Sequence, residues 1–285
     1  MKGSSLTPLG GAQAACLHRA HCLAMSSIVT SQGIVHYEAY GRGRPVILLH
    51  GWINSWGVWQ EEMIQLADRG GYKVYALDFW GFGESAKSKT PPFKIASYVD
   101  MVDQFMEALG IFRAPVLGHS MGGTVALRLA LDRPERVTRV ACVGSPIHGN
   151  SLNFFLKLAG IDWIAHTVWR APALLRLVIL INTLGDSERV RKMILRDVEK
   201  ASIESFFRSI GDLHSIDLRQ PLRRLAIPAL GVYGKSDNIV NPDQARVLAE
   251  AVHDARVHVL GRSRHFVMLD EPEAFHGIIS EFLRN

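Results

Sequence analysis

Five residues constrain this chain more than any others: Gly118-His119-Ser120-Met121-Gly122. A strand-like run, Ala114-Pro115-Val116-Leu117, leads into them, and a helix-like run from Met121 to Leu131 leads out. A Gly-x-Ser-x-Gly pattern between strand and helix marks a sharp turn that holds a serine hydroxyl out above a sheet. Side chains in place of Gly118 and Gly122 would crowd the backbone at such a turn, and Gly123 lets the following helix lie close to the sheet. The bare pattern occurs by chance; its flanking elements are what give it weight.

A serine hydroxyl is a weak nucleophile at neutral pH. It needs a base within hydrogen-bond reach and an acid that orients the base. Where the serine sits on such an elbow, the partners follow in the order acid, then histidine. Ile227 to Gly234 reads as a buried strand and ends in Lys235-Ser236-Asp237. Ala255 to Leu260 reads as another, and the loop Gly261-Arg262-Ser263-Arg264 delivers His265. Ser120, Asp237 and His265 are therefore the candidate nucleophile, acid and base. Position chooses among the 12 histidines. His119 lies inside the elbow and is expected to pack; His50 is expected to shape its loop through hydrogen bonds. His253 and His258, on or before a strand, are expected to be structural or exposed. Among rival acids, Asp243 is expected to open a helix, and Asp270, before Glu271-Pro272, to cap one.

The remaining pattern is that of a doubly wound sheet, with strands at 46–49, 74–78, 116–118, 137–143, 229–233 and 257–260 alternating with helical runs. An antiparallel hairpin is expected within Ile34 to Tyr40. The clearest helix is Lys94 to Ile111, with Ile95, Tyr98, Val99, Val102, Phe105, Met106 and Leu109 on one face. From about Ile147 to Arg219 strand alternation disappears, and Ser187 to Ile210 has helical spacing. Ligands of open α/β sheets bind beyond the carboxyl ends of strands. His50, Ser120, Asp237 and His265 all follow predicted strands.

Four segments together resemble the α/β-hydrolase family, from about Ile34 onward: Leu48-Leu49-His50-Gly51-Trp52, Asp78-Phe79-Trp80-Gly81-Phe82-Gly83-Glu84-Ser85, the elbow, and the late pair of Gly234-x-x-Asp237 with His265-Phe266. The first and third are similar to those of small carboxylesterases, including the biotin-pathway type, and of bacterial perhydrolases. The resemblance implies a mostly parallel, eight-stranded sheet flanked by helices, with a helical lid inserted after the sixth strand. It divides the chain into an N-terminal extension (1–25), a core (26–146 with 220–285) and a lid (147–219). It makes the Trp52 amide an oxyanion donor beside that of Met121, which opens a helix. Some family members carry the acid after an earlier strand; here that strand, Val137 to Gly144, is followed by Ser145-Pro146, so Asp237 keeps the role. The Asp78–Ser85 turn is assigned no chemistry.

The implied activity is hydrolysis of carboxylic esters of small to medium apolar substrates through an acyl-enzyme, without metal or cofactor. Trp52, Phe154, Phe155, Trp163 and Trp169 are the candidate substrate-binding residues. Trp52 serves either as a pocket wall or as a core aromatic, and the lid aromatics either line an acyl pocket or pack the lid. Haloalkane dehalogenases and epoxide hydrolases share this fold but use an aspartate nucleophile, against which Ser120 argues. Carbon–carbon bond hydrolases of the meta-cleavage type keep the serine and remain an alternative. So does a triad-bearing ligand receptor with slow turnover.

Composition is consistent with one catalytic domain: 285 residues, 48% hydrophobic, net charge +5. The arginines are scattered rather than interleaved with aromatics in a strip, which argues against nucleic-acid binding. Three cysteines, with Cys142 in an apolar strand, call for no disulfide, so the cytoplasm is the expected compartment. Cys16 and Cys22 match no structural zinc spacing. Residues before Met25 lack a signal peptide's apolar core and are expected to be a flexible tail or a misassigned start. The longest apolar stretch, Ala171 to Ile181, is interrupted by Pro172 and Arg176 and is too short to span a bilayer. The expected partner is a small-molecule ester, and the expected assembly a monomer or homodimer.

Overall fold

A computed structural model describes residues 26–87, 93–159, 170, 171, 177–181, 183 and 185–284. Its frame is a single eight-stranded sheet: β1 (Ser26–Thr30), β2 (Gly33–Gly41), β3 (Arg44–Leu49), β4 (Tyr72–Leu77), β5 (Ala114–His119), β6 (Val137–Val143), β7 (Ala229–Gly234) and β8 (Ala255–Leu260). The spatial order is β1-β2-β4-β3-β5-β6-β7-β8. β1 and β2 run antiparallel to their neighbours and all later pairs are parallel. Helices α1 (Gln60–Gly70), α2 (Ile95–Ala108), α3 (Met121–Asp132), α4 (Phe154–Ala159), α5 (Glu188–Val198), α6 (Ile203–Ser215), α7 (Gln244–Ala251), α8 (Val267–Asp270) and α9 (Pro272–Arg284) complete it. Three of these, α4 to α6, lie between β6 and β7.

The central strands are buried along most of their length, as in Val46–Leu49 and Val140–Val143, because both faces of the sheet are covered. In β3, Ile47 and Leu49 join the core that holds α2 and α3, whereas Val46 and Leu48 join the one that holds α1 and α9. This is the two-residue alternation of an extended chain. The predicted stripe of α2 is buried from Ile95 to Met106. Cys142 is also buried, which pushes its thiol up to about 11.

Two expectations, on the first hairpin and on Asp270, need correction. The first hairpin is not contained in Ile34 to Tyr40; that segment is one strand, and its partner is Ser26–Thr30, paired from Ser26↔Tyr37 to Thr30↔Gly33. The short, polar-edged β1 gave too weak an alternation to be read. The run from Ser187 to Ile210 is helical as its spacing suggests, and divides into two helices. Ser187 accepts the Val190 N–H and Ser202 the Ser205 N–H, so a second cap restarts the chain in a new direction. Asp270 caps no helix: it ends α8, and its Oδ2 accepts the Arg264 N–H at 2.8 Å. Asp243 opens α7, as expected, without a side-chain cap bond. His253 and His258 are exposed. The 1–25 extension, with Cys16 and Cys22, lies outside the described residues. So do Trp163 and Trp169.

One pair, a buried Glu62 and a half-buried His276, makes stability depend on pH. Glu62 on α1 faces His276 on α9, with Oε1 3.1 Å from Nδ1, and the His276 Nε2 lies 3.1 Å from Ser280 Oγ. Burial pushes the Glu62 carboxyl up to about 8, and burial, with Arg69 and Arg284 nearby, lowers His276. The folded protein therefore holds a proton on Glu62 that the unfolded chain releases near its ordinary value. This contribution to stability is complete below about pH 4.5 and is lost as pH rises through about 8. Glu62→Gln keeps a donor for His276 and removes the titration. It is expected to gain on the wild type between pH 5 and 8.5, by on the order of 2–4 kcal/mol. Urea melts at both pH values measure this. A difference between the two proteins that does not change with pH would contradict it.

Candidate active site

The ends of the strands set the site. Leu49 pairs with Gly118, His119 with Val143, Val143 with Val232, and Gly234 with Leu260. The loops that follow β3, β5, β7 and β8 therefore open on one edge of the sheet. They carry His50, Ser120, Asp237 and His265.

Ser120 joins β5 to α3 with φ 51° and ψ −119°, a backbone state that side chains rarely adopt. Such a residue costs roughly 1–3 kcal/mol and persists only where its surroundings over-determine it. Here they do. The Ser120 N–H donates to the Val143 carbonyl at 2.8 Å. A Cβ on Gly118 would collide with the Gly122 carbonyl, and one on Gly122 with the Leu49 carbonyl. The elbow is thus wedged against β3 and β6. Met121 begins α3, where the first N–H groups of a helix have no partner within it.

Asp237 and His265 meet as the sequence predicts: Oδ2 lies 2.8 Å from Nδ1. The other carboxylate oxygen accepts the N–H groups of Ile239 and Val240, at 2.8 and 3.0 Å. This fixes which oxygen faces the imidazole. A carboxylate accepts only, so Nδ1 is the donor to it, and in the neutral ring the lone pair lies on Nε2. The loop before His265 is braced from behind, where Glu271 Oε1 accepts the Arg262 N–H and the Ser263 hydroxyl and Asp270 accepts the Arg264 N–H. The Arg264 guanidinium pairs with Asp186, Nε to Oδ1 at 3.0 Å. Burial pushes Asp186 up to about 6 against the pull of Arg264.

His119 is fully buried and packs, as expected: its ring centroid is 4.7 Å from that of His265, and Nε2 lies 3.1 Å from the His265 carbonyl. Burial, and then the neighbouring His265, hold it well below the ordinary histidine range, so it stays neutral. His50 shapes its loop. Its Nε2 accepts the Phe79 N–H at 2.9 Å, so Nδ1 must be the donor to the Gly51 carbonyl, 2.7 Å away. Burial lowers it and favours this neutral form.

The loop after β3 is tied at every point. Ile53 takes a positive φ of 56°. Gly51 has no room for a side chain: a Cβ there would lie 2.8 Å from His119 Nδ1 and 3.1 Å from Ser120 Cβ. The half-buried Trp52 packs its ring on Phe206 of α6, centroids 4.3 Å apart, and its Nε1–H donates to the Phe206 carbonyl at 2.8 Å. Phe154 is 67% exposed, and the side chain of Phe155 lies outside those described.

Sequence reasoning missed two groups. Asp78, in a turn read as mere chain reversal, is fully buried and central. Its Oδ1 accepts the Trp56 N–H at 2.7 Å, and its Oδ2 accepts the Glu84 N–H and faces His36 Nδ1, each at 2.9 Å. Ser85 Oγ donates to the Asp78 carbonyl at 2.6 Å. The motif's Asp and Ser were the visible signal. Asp197, on α5, accepts the Ser55 hydroxyl at 3.0 Å, and no local pattern announces it.

Residues 44–184 match the family model of the alpha/beta hydrolase fold. The pimeloyl-[acyl-carrier protein] methyl ester esterase of Pectobacterium carotovorum is 30% identical over 258 residues, 85% of this chain and 95% of that protein. The 2-hydroxy-6-oxononadienedioate/2-hydroxy-6-oxononatrienedioate hydrolase of Burkholderia vietnamiensis is 27% identical over 263 residues, 88% of this chain and 91% of that protein. In fold, an esterase from Exiguobacterium antarcticum is similar over 92% of this chain and all of its own, with a TM-score of 0.81 at 22% identity. Among the described residues, no helix is long and apolar enough to cross a membrane. Motifs, strand order and shared length agree: the chain belongs to the α/β-hydrolase family.

Proposed function

We propose that this hydrolase cleaves uncharged carboxylic esters through a covalent acyl-enzyme on Ser120. The observation that supports the reading is the Asp237–His265 contact: with Nδ1 turned to the carboxylate, the neutral ring offers Nε2 as a base, and Ser120 stands on a strained elbow at the same edge of the sheet. His265 takes the Ser120 proton as the hydroxyl attacks the carbonyl, and the amides of Trp52 and Met121 receive the developing charge. His265 then protonates the leaving alcohol. Water, activated by the same nitrogen, releases the acid. Residues 147–219 act as a lid, and Phe154, Phe155, Trp163 and Trp169 with Trp52 give the acyl pocket its apolar character.

The test is labelling by a fluorophosphonate together with turnover of p-nitrophenyl esters, run beside a vinylogous diketone. The diketone is included because one relative is named for a dienedioate. Diketone cleavage without ester turnover would favour carbon–carbon hydrolysis, and labelling without turnover a receptor. One methylene more or less in an apolar pocket is worth only about 1–3 kcal/mol. Specificity constants from acetate to decanoate are therefore expected to vary gradually, with an optimum at short to medium chains. Trp163→Ala or Trp169→Ala should move that optimum while leaving Ser120 labelling intact. A strong preference for a charged ester, or an optimum unmoved by either change, would refute the pocket.

A further inference from the structure

Ser55 closes the loop that carries Trp52 and stands at the N-cap of a 3-10 turn, Trp56–Trp59. A serine there ordinarily turns its hydroxyl back onto an N–H of its own first turn. This one forms no such bond. It donates to Asp197 Oδ2, 142 residues further along the chain. Asp197 is 1% exposed, and its other oxygen takes the Arg196 Nε at 2.9 Å. The turn's Trp56 N–H is served by Asp78 instead. A buried carboxylate is costly unless its oxygens are bonded. Simple packing of α5 would be met by an apolar residue, as it is at Val190, Ile194 and Val198. The charge at position 197 therefore needs a reason other than packing.

We infer that Asp197 is a positioning residue for the oxyanion loop: through Ser55 it holds the far end of the Gly51–Ser55 segment, so that the Trp52 amide stays aimed at the reacting carbonyl. The inference rests on the role proposed above for Trp52. The segment needs holding because Ile53 sits at φ 56° and gains by relaxing. Its near end is fixed by the His50–Gly51 contact and its indole by the Phe206 carbonyl. Its far end is fixed by Ser55 on Asp197 and Trp56 on Asp78. Helices α5 and α6 thus grip the loop at two points, one polar and one aromatic. Without the Ser55 tie, Ile53 relaxes and the amide turns away. Displacements of about 1 Å in such groups cost on the order of a hundredfold in rate.

The experiment compares Ser55→Ala, Asp197→Ala, Asp197→Asn and the Ser55/Asp197 double alanine variant. Lys200→Ala serves as a control, because it removes an exposed ion pair to Glu84 that ties the same helical hairpin elsewhere. Ser55→Ala and Asp197→Ala should each lower kcat about ten- to hundredfold, with KM within about twofold of wild type. The double variant should be no worse than the worse single one. Asp197→Asn, which keeps an acceptor oxygen, should recover most of the loss, and Lys200→Ala should match wild type. The decisive readout is the rate ratio between an oxoester and the corresponding thionoester. Sulfur is longer and a poor acceptor, so a well-aimed oxyanion hole favours the oxoester. Misaiming shrinks the preference, whereas general loosening slows both substrates alike. A wild-type ratio in Ser55→Ala and Asp197→Ala, or wild-type kcat in either, overturns the inference. Should Asp197→Ala not fold, the ratio in Ser55→Ala decides. A wild-type protein inactive on all esters, or turnover surviving Ser120→Ala, overturns the proposed function as well.

Discussion

Ser120→Ala is expected to abolish fluorophosphonate labelling and to lower ester turnover by about 10⁴- to 10⁶-fold, the loss that follows removal of a serine nucleophile from a triad. In barrier height that is about 5–8 kcal/mol. The fold should survive. The side chain loses one oxygen, and Ser120 forms no side-chain cap bond to α3 that would be missed. The backbone bond to Val143 and the wedging of Gly118 and Gly122 do not involve the hydroxyl. Intact-mass analysis after labelling, with specificity constants and a melting curve, settles the matter. An adduct elsewhere, or turnover within tenfold of wild type, would show that the elbow is not where the bond is made.

Asp237→Asn should cost about 10⁴-fold in kcat for a reason visible in the geometry. Two backbone N–H groups, from Ile239 and Val240, donate to one oxygen of the carboxylate. An asparagine satisfies both only by placing its own oxygen there. Its NH₂ then faces His265 and donates to Nδ1, which drives the proton to Nε2 and leaves no base for the serine. Asp270→Asn should be far milder, within about tenfold, because a single amide oxygen can still accept the Arg264 N–H. Kinetics on the two variants separate the cases. A mild effect at Asp237 together with a severe one at Asp270 would reverse the assignment of the acid.

What could be read from the sequence was local. Ser120, Asp237 and His265 each follow the end of a strand, at once after β5 or a few loop residues after β7 and the largely exposed β8, so chain order and strand ends together brought them to one edge. The same reasoning failed where a bond reaches far or runs backward. Asp270 was mistaken for a cap because its partner, the Arg264 N–H, precedes it. Asp78 seemed idle because its partners include His36, 42 residues earlier. Asp197 carried no signal because Ser55 is distant in the chain. The break between α5 and α6 was hidden in a continuous helical period and revealed only by Ser202, whose hydroxyl accepts from Ser205. Trp52 shows the limit of a two-way choice: the ring packs on Phe206, and the indole N–H also bonds its carbonyl.

The contact between His119 and the His265 carbonyl joins residues 146 positions apart. Synthesis on a ribosome proceeds at roughly 5–20 residues per second. The serine is therefore polymerised about 7–30 seconds before the imidazole that would activate it exists. On the proposed mechanism the nascent chain carries an ordinary hydroxyl throughout that interval, with no base to activate it. On the same mechanism its chemistry would begin only when the segment after β8 had been translated and seated, so that completing the fold would switch the enzyme on.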